Sequence, residues 1–155
     1  MKELRKDRTV FCAPDAARDG EVARAMTYTE RKALVKRYLG EVADIEVDRP
    51  IGTPHPKHPE IIYPINYGYI PGVLGGDGEE LDVYLLGVGE IVERYRVRII
   101  AAVHRTDDVE DKLVGIPEDS LPEKIPTEAQ VREAVRFQEQ FHEGFLEMWE
   151  PDRKP

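Results

Sequence analysis

Alternation of apolar and polar residues marks the first clear element of the chain. Ile45 and Val47 alternate with Asp44, Glu46 and Asp48, the period-two pattern of a half-buried strand, which Pro50 closes. Further strands are predicted over 60–66, 81–86, 96–104 and 112–116, with 96–104 the richest in β-branched residues. Two helices flank them. Thr27 and Glu30 have capping-box spacing, and Gly40 can stop the helix that follows. Thr127 and Gln130 repeat the spacing. There Val131, Ala134, Val135, Phe141, Phe145 and Met148 recur at three- and four-residue steps, predicting a long C-terminal helix. Gly144 weakens its last turn by about 1 kcal/mol relative to alanine. In the segment IGTPHPKHPE, Pro54, Pro56 and Pro59 favour extended backbone, and 118–126 reads as a loop. Helix, short strands and closing helix, in that order, predict an α+β fold built on a small antiparallel sheet or barrel, not a βαβ fold. Residues 1–26 show no sustained period and are expected to form an extension, followed by one domain over 27–149 and a tail over 150–155.

Composition narrows the function classes. A chain of 155 residues suits one domain, and 41% hydrophobic with 34% charged residues argues against wholesale disorder. The net charge of −9 disfavours non-specific binding to nucleic acid or to an anionic membrane. It does not disfavour an anionic substrate, because a bound metal reverses the local sign. Cys12 is the only cysteine, so neither an intrachain disulfide nor a thiolate zinc cage is possible. No signal-peptide core and no apolar run of membrane-spanning length is seen, and a cytoplasmic protein is expected.

The candidate chemistry lies between Tyr63 and Gly87. Asp77, Glu79 and Asp82 put three carboxylates within six positions, where a turn passes into a strand. Such a row repels itself unless a cation intervenes, and hard divalent cations are bound by carboxylate oxygens. Asp77 and Glu79 alone would make an ordinary acidic hairpin, since GGDG is good turn chemistry. Asp82 differs because it enters the apolar strand LDVYLLG, where a carboxylate is costly unless paired or metal-bound. An EF-hand fails on spacing, because Leu81 stands where an oxygen ligand is needed, and no Lys-Ser or Lys-Thr pair follows the glycines to make a P-loop. A second acidic group, Asp107, Asp108, Glu110 and Asp111, follows the strand ending near His104 and adjoins Lys112. By itself it is a solvated loop; beside the first group it could help hold two magnesium ions for phosphoryl transfer. His55, Lys57 and His58 form a cationic cluster. Its prolines argue against zinc, and Lys57 is a candidate anion-binding side chain. Tyr63, Tyr67, Tyr69 and Tyr84 read first as packing residues, and Glu139 and His142 as the polar face of the closing helix.

The run YPINYGYIPG followed by DGEELDV resembles the soluble family I inorganic pyrophosphatases. Their signature reads Asp-Gly-Asp-Pro-x-Asp-Val after a Tyr-Pro-x-Asn-Tyr-Gly-Tyr segment. The resemblance covers roughly residues 45–142 and is closest to short, hairpin-trimmed members with a similar DRP…HPKH lead-in. It implies an OB-like β-barrel with flanking helices, Mg²⁺ as cofactor, and hydrolysis of pyrophosphate to two orthophosphates by a homo-oligomer. On the matching positions it implies that Asp77, Glu79 and Asp82 are metal ligands, with Asp107 and either Glu110 or Asp111 completing the set. Glu79, Asp82 and Tyr67 become the expected catalytic residues, Lys57 and Lys112 the phosphate-binding ones, and Asp48 an outlying acidic position. There are departures. Glu79 and Glu80 replace an aspartate and a proline of the signature, and Phe141-His142 replaces a tyrosine-lysine pair. The family's phosphate-binding arginine belongs to a hairpin missing between Lys57 and Tyr63. A hydroxyl and two cations are therefore absent from the expected phosphate pocket, where electrostatics dominate catalysis. A non-catalytic metal-phosphate binder, or a hydrolase of another phosphorylated substrate, is the alternative reading. An oligonucleotide-binding barrel rests on fold analogy alone and sits badly with the charge.

Overall fold

Both helices begin where the sequence spells a capping box. The computed structural model describes residues 26–151, so all but the last residue of the expected extension over 1–26, and most of the tail, fall outside the described residues. Helix α1 (Tyr28–Lys36) starts from Thr27, whose hydroxyl accepts the Glu30 N–H at 3.1 Å while the Glu30 carboxylate accepts the Thr27 N–H at 2.9 Å. Helix α2 (Glu128–Glu139) starts the same way from Thr127 and Gln130. After α1, Gly40 adopts φ +85° and donates its N–H to Ile99 O at 2.8 Å, tying the helix end to the sheet.

Six strands follow one another as β1 (Val42–Arg49), β2 (Asn66–Leu74), β3 (Glu80–Leu85), β4 (Arg94–Arg105), β5 (Lys112–Pro117) and β6 (Gly144–Met148). The first five form a closed barrel in the order β1-β2-β3-β5-β4, with β4 pairing back onto β1. This is the expected α+β, OB-like barrel with one amendment. The β3–β5 pair is parallel, so the barrel is mixed and not purely antiparallel. One edge of β4 is shared, its first half by β1 and its second half by β6.

Alternation along the strands divides the apolar residues between two cores. Ile45, Val83, Leu85, Ile99 and Leu113 pack in one cluster with Val35 of α1. Tyr84, Leu86, Ile100, Val114 and Ile116 join a second cluster, closed by Val131 and Val135 of α2. Burying each such aliphatic side chain contributes roughly 1.5–3 kcal/mol.

Two predicted elements differ. The strand expected over 60–66 begins only at Asn66. Residues 52–63 instead double back as a loop held by Gly52 N–H to Tyr63 O, Tyr63 N–H to Thr53 O and His55 N–H to Ile61 O, at 2.8–2.9 Å. Pro59 and Pro64 lack the N–H groups a longer ladder would need. The long helix ends at Glu139, and residues 144–148 form β6. Gly144 explains the switch: a Cβ there would lie 2.2 Å from His104 O, a close approach of strand to strand that only glycine allows. Phe145, expected on a buried helical face, is half exposed.

Candidate active site

The parallel pairing of β3 with β5 sets Asp82 directly opposite Lys112. Both project to the face that carries Tyr84 and Val114, and both are almost wholly buried. Lys112 Nζ lies 2.8 Å from Asp82 Oδ2, 2.7 Å from the Tyr67 hydroxyl and 3.3 Å from Glu110 Oε1. The Tyr67 hydroxyl donates to the same Asp82 oxygen at 2.8 Å. Burial works against the lysine charge, but the Asp82 and Glu110 carboxylates outweigh it and hold Lys112 protonated well above its ordinary range. Burial, reinforced by Asp82, raises the Tyr67 hydroxyl well above its ordinary value, so it stays a hydrogen-bond donor.

Asp77 is in a different state. Its Oδ1 accepts the Glu79 N–H at 2.9 Å across the GGDG turn, whereas its Oδ2 is buried and has no donor. Burial and the neighbouring Glu110 carboxylate push its pKa up to about 7. Two carboxyl groups pressed together around an orphaned buried oxygen fit a hard divalent cation. Among the described residues no three histidine, cysteine, aspartate or glutamate side chains group into a cage able to hold a metal ion. Mg²⁺-type ions need no such cage, since one or two protein carboxylates plus water and phosphate oxygens suffice.

The rest of the second acidic group is spread over other tasks. Asp111 is buried and points away from Lys112. It receives Lys32 Nζ at 2.9 Å, Arg31 Nη1 at 3.4 Å and the Arg105 N–H at 2.8 Å. The aliphatic stem of Arg31 lies on Gly76, where a Cβ would come within 2.1 Å of it. Helix α1 thus clamps the loop bearing Asp77 to the loop bearing Glu110. Asp107 is exposed; it takes the Glu143 N–H at 3.0 Å and His142 Nδ1 at 3.2 Å, contacts that lower its pKa.

Three further residues, Arg105, Glu139 and Gln138, complete the site. Arg105 is buried and holds Glu139 with two nitrogens, at 3.0 and 2.6 Å, and Asp108 with a third at 3.2 Å. Burial opposes both charges. Arg105 nevertheless holds Glu139 below the usual carboxylate range, and Glu139 raises Arg105 in turn. From Glu139 a chain of hydrogen bonds runs through the Tyr84 hydroxyl (2.6 Å), Gln138 (2.7 Å) and the Tyr63 hydroxyl (2.9 Å) to Arg49 (2.7 Å). Glu139 is therefore a network residue and not merely part of a polar helix face. A cleft of about 570 Å³ opens over this floor, and Arg49, Lys57, Tyr67, Arg105, Glu110 and Lys112 all line it. Of the sequence candidates, Lys57, Tyr67, Glu110 and Lys112 line the cleft. Asp82 lies beneath it, bonded to Tyr67 and Lys112, while Asp77 adjoins Glu110. Asp107 and Asp111 are occupied by other partners. Glu79 is buried just before β3. The cations that sequence reading missed, Arg49 and Arg105, carried no local signal: each stands at the end of a strand and finds its partners far along the chain.

The inorganic pyrophosphatase family model matches residues 33–148 of the chain. The chain belongs to the inorganic pyrophosphatase family. An inorganic pyrophosphatase of Pseudomonas aeruginosa is 37% identical over 82 residues, covering 48% of this chain and 42% of that protein. One of Sulfolobus acidocaldarius is 39% identical over 89 residues, covering 53% and 46%. The aligned part thus spans less than half the length of these curated pyrophosphatases. Crystal structures of inorganic pyrophosphatases from Ehrlichia chaffeensis and Neisseria gonorrhoeae share the fold. Their TM-scores are 0.53 and 0.51 at 15% and 20% identity, covering 72% of this chain and 88% and 82% of theirs. Arg31 and Lys32 precede the part that matches the pyrophosphatase family model.

Proposed function

We propose that the protein hydrolyses inorganic pyrophosphate to two orthophosphates with Mg²⁺ as cofactor. The observation that carries this reading is the Asp77–Glu110 carboxyl pair, with its orphaned oxygen, beside a cleft lined by four cations: Arg49, Lys57, Arg105 and Lys112. Asp77 and Glu110 would hold the metal, with water and phosphate oxygens completing its shell, while Asp82 stays paired with Lys112 and Tyr67. Glu110 is preferred over Asp111 because it adjoins Asp77 and lines the cleft, whereas Asp111 is turned to Arg31 and Lys32. When bound, the metal supplies charge neutralisation for the phosphoryl oxygens and acidifies water at neutral pH.

The chain's own residues do the rest. Lys57 and Arg49 approach the cleft from its loop side and bind phosphate oxygens. Lys112, held protonated by Asp82 and Glu110, contributes a fixed positive charge from the floor. Such a preorganised charge stabilises a transferring phosphoryl group without reorganising as charge moves. Tyr67 keeps its proton and orients the Asp82 carboxylate. Arg105 steadies Asp108 and Glu139, so that the acidic loop keeps its shape when substrate charge enters. Arg49 and Arg105 replace the missing arginine and lysine in number but not in kind, since Arg105 is already engaged by carboxylates. The test is phosphate release from pyrophosphate by pure protein, with Mg²⁺ and with EDTA. Release that needs the metal is expected; no release under either condition would overturn the reading. A non-catalytic metal-phosphate binder would instead give a Mg-pyrophosphate binding isotherm without turnover. A cytoplasmic homo-oligomer remains the expected setting of this activity, and among the described residues no helix is long and apolar enough to cross a membrane.

A further inference from the structure

The cleft changes character from floor to mouth. Its floor is ionic: Lys112, Glu110, Arg105 and Asp108 line it and are paired with one another or with Asp82 and Glu139. Its mouth mixes rings and aliphatic surface with the charged side chains of Lys57 and Glu60. Pro56 and Ile61 come from the 52–63 loop, together with His55, and Phe141 comes from the turn after α2. The His55 ring lies parallel to Tyr63, with centroids 6.1 Å apart and planes 7° apart, and 5.3 Å from His58. Phe141 lines the same cleft and is 63% exposed.

Inorganic pyrophosphate has only oxygen at its surface and gains nothing from an exposed phenyl ring. A cleft of about 570 Å³ is in the size range of sites for small organic molecules, which combine apolar walls with a few placed polar groups. The ionic floor points the same way. Arg105 and Lys112 are already balanced by carboxylates, so the floor adds little net positive charge to that of Arg49 and Lys57 for a fully ionised pyrophosphate. Esterifying one terminal oxygen lowers the ligand's charge and adds the apolar part that the mouth can cover.

We infer that the cleft accepts organic diphosphate monoesters, with the diphosphate over the floor and a planar or apolar substituent between Phe141 and the His55–His58 rings. The inference rests on the reading of the floor as a site of phosphoanhydride hydrolysis. In the step itself, the oxygen of water bonds to the terminal phosphorus and the bridging P–O bond breaks. The bridging oxygen keeps the electron pair and leaves as part of the organic monophosphate. Orthophosphate is the other product, and near neutral pH one proton passes to solvent. No oxidant or further reactant is required.

The experiment compares phosphate release from pyrophosphate, methyl diphosphate and phenyl diphosphate at saturating Mg²⁺, for the full chain and its Phe141→Ala and Phe141→Tyr variants. Expected is a kcat/KM for phenyl diphosphate about tenfold above that for methyl diphosphate. Phe141→Ala collapses that ratio towards one and Phe141→Tyr keeps it; using a ratio cancels any general loss from the substitution. Cleavage of pyrophosphate with both esters refused, or with methyl and phenyl esters equal, would overturn the inference and leave the pyrophosphatase reading standing. Cleavage of the phenyl ester without cleavage of pyrophosphate would support it and correct that reading. No release from any of the three would remove both.

Discussion

Asp82 and Asp77 belong to one acidic run, yet the fold treats them in opposite ways. Asp82 faces a lysine that the parallel β3–β5 pairing sets beside it, and a tyrosine hydroxyl bonds both. Asp77 faces another carboxylate and keeps one buried oxygen without a donor. The first is a finished internal ion pair that needs nothing from solution. The second is destabilised when ionised and becomes favourable when a proton or a cation arrives. A row of carboxylates in a sequence therefore need not be one metal site. Part of it can be scaffold, whose charge is balanced inside the protein, and the remainder is where an external ion is wanted.

The contrast can be broken most strongly at Asp82. Asp82→Ala leaves Lys112 buried beside Tyr67 and Glu110 with its main counter-charge gone, and should cost about 3–5 kcal/mol in denaturant unfolding. Adding Lys112→Met should return most of that loss, because the uncompensated charge disappears. If the single and double variants were equally unstable, the pair would not be the finished unit described here.

Asp77→Asn should act in the reverse direction. In EDTA at pH 8 the variant should be more stable than the parent by about 1–2 kcal/mol, allowing for partial solvent screening, while activity is lost. The pH dependence has a definite sign. The unfolded carboxyl ionises near 3.8 and the folded one only near about 7, so across that window the folded state holds the extra proton. Its contribution to the stability of the metal-free protein is therefore full below pH 3.8 and is lost as pH rises through about 7. Asp77→Asn should remove this slope, as read from chemical unfolding across the window in EDTA; a slope that persisted would place its origin elsewhere.

The smallest effect is expected at Arg31. Arg31→Ala should raise the Mg²⁺ concentration for half-maximal activity by about tenfold and leave kcat at saturating metal nearly unchanged. The arginine touches no substrate-facing group; it holds the two loops that carry Asp77 and Glu110, and Lys32 still grips Asp111 when it is gone. A fall in kcat with unchanged metal dependence would contradict this role.

How much of this could be read from the sequence depended on distance along the chain. Both capping boxes were legible because each is a four-residue pattern that completes itself. The barrel was legible from short alternating strands, and Asp82 from the oddity of a carboxylate in an apolar run. The parallel pairing was not, since strand alternation carries no information on direction. The end of α2 was missed because Phe141, Phe145 and Met148 keep a helical spacing, while Gly144 is there for its contact with His104 O. Arg105 and Glu139, and Arg49 with Tyr63, are partners brought together only by the closed barrel. Glu110 and Asp111 could not be told apart because adjacent residues point to opposite sides. Only the three-dimensional placement of Asp77 beside Glu110, and of Arg31 and Lys32 beside Asp111, distinguishes them.

The central claim is that a divalent cation belongs between Asp77 and Glu110. Binding of Mn²⁺ as a spectroscopic substitute, followed by the loss of its free-ion electron paramagnetic resonance signal, tests it without reference to turnover. The parent protein should take up Mn²⁺ in competition with Mg²⁺, and Glu110→Gln, which removes one of the two charges, should weaken uptake at least about tenfold. Equal Mn²⁺ binding by the parent and Glu110→Gln would contradict the claim.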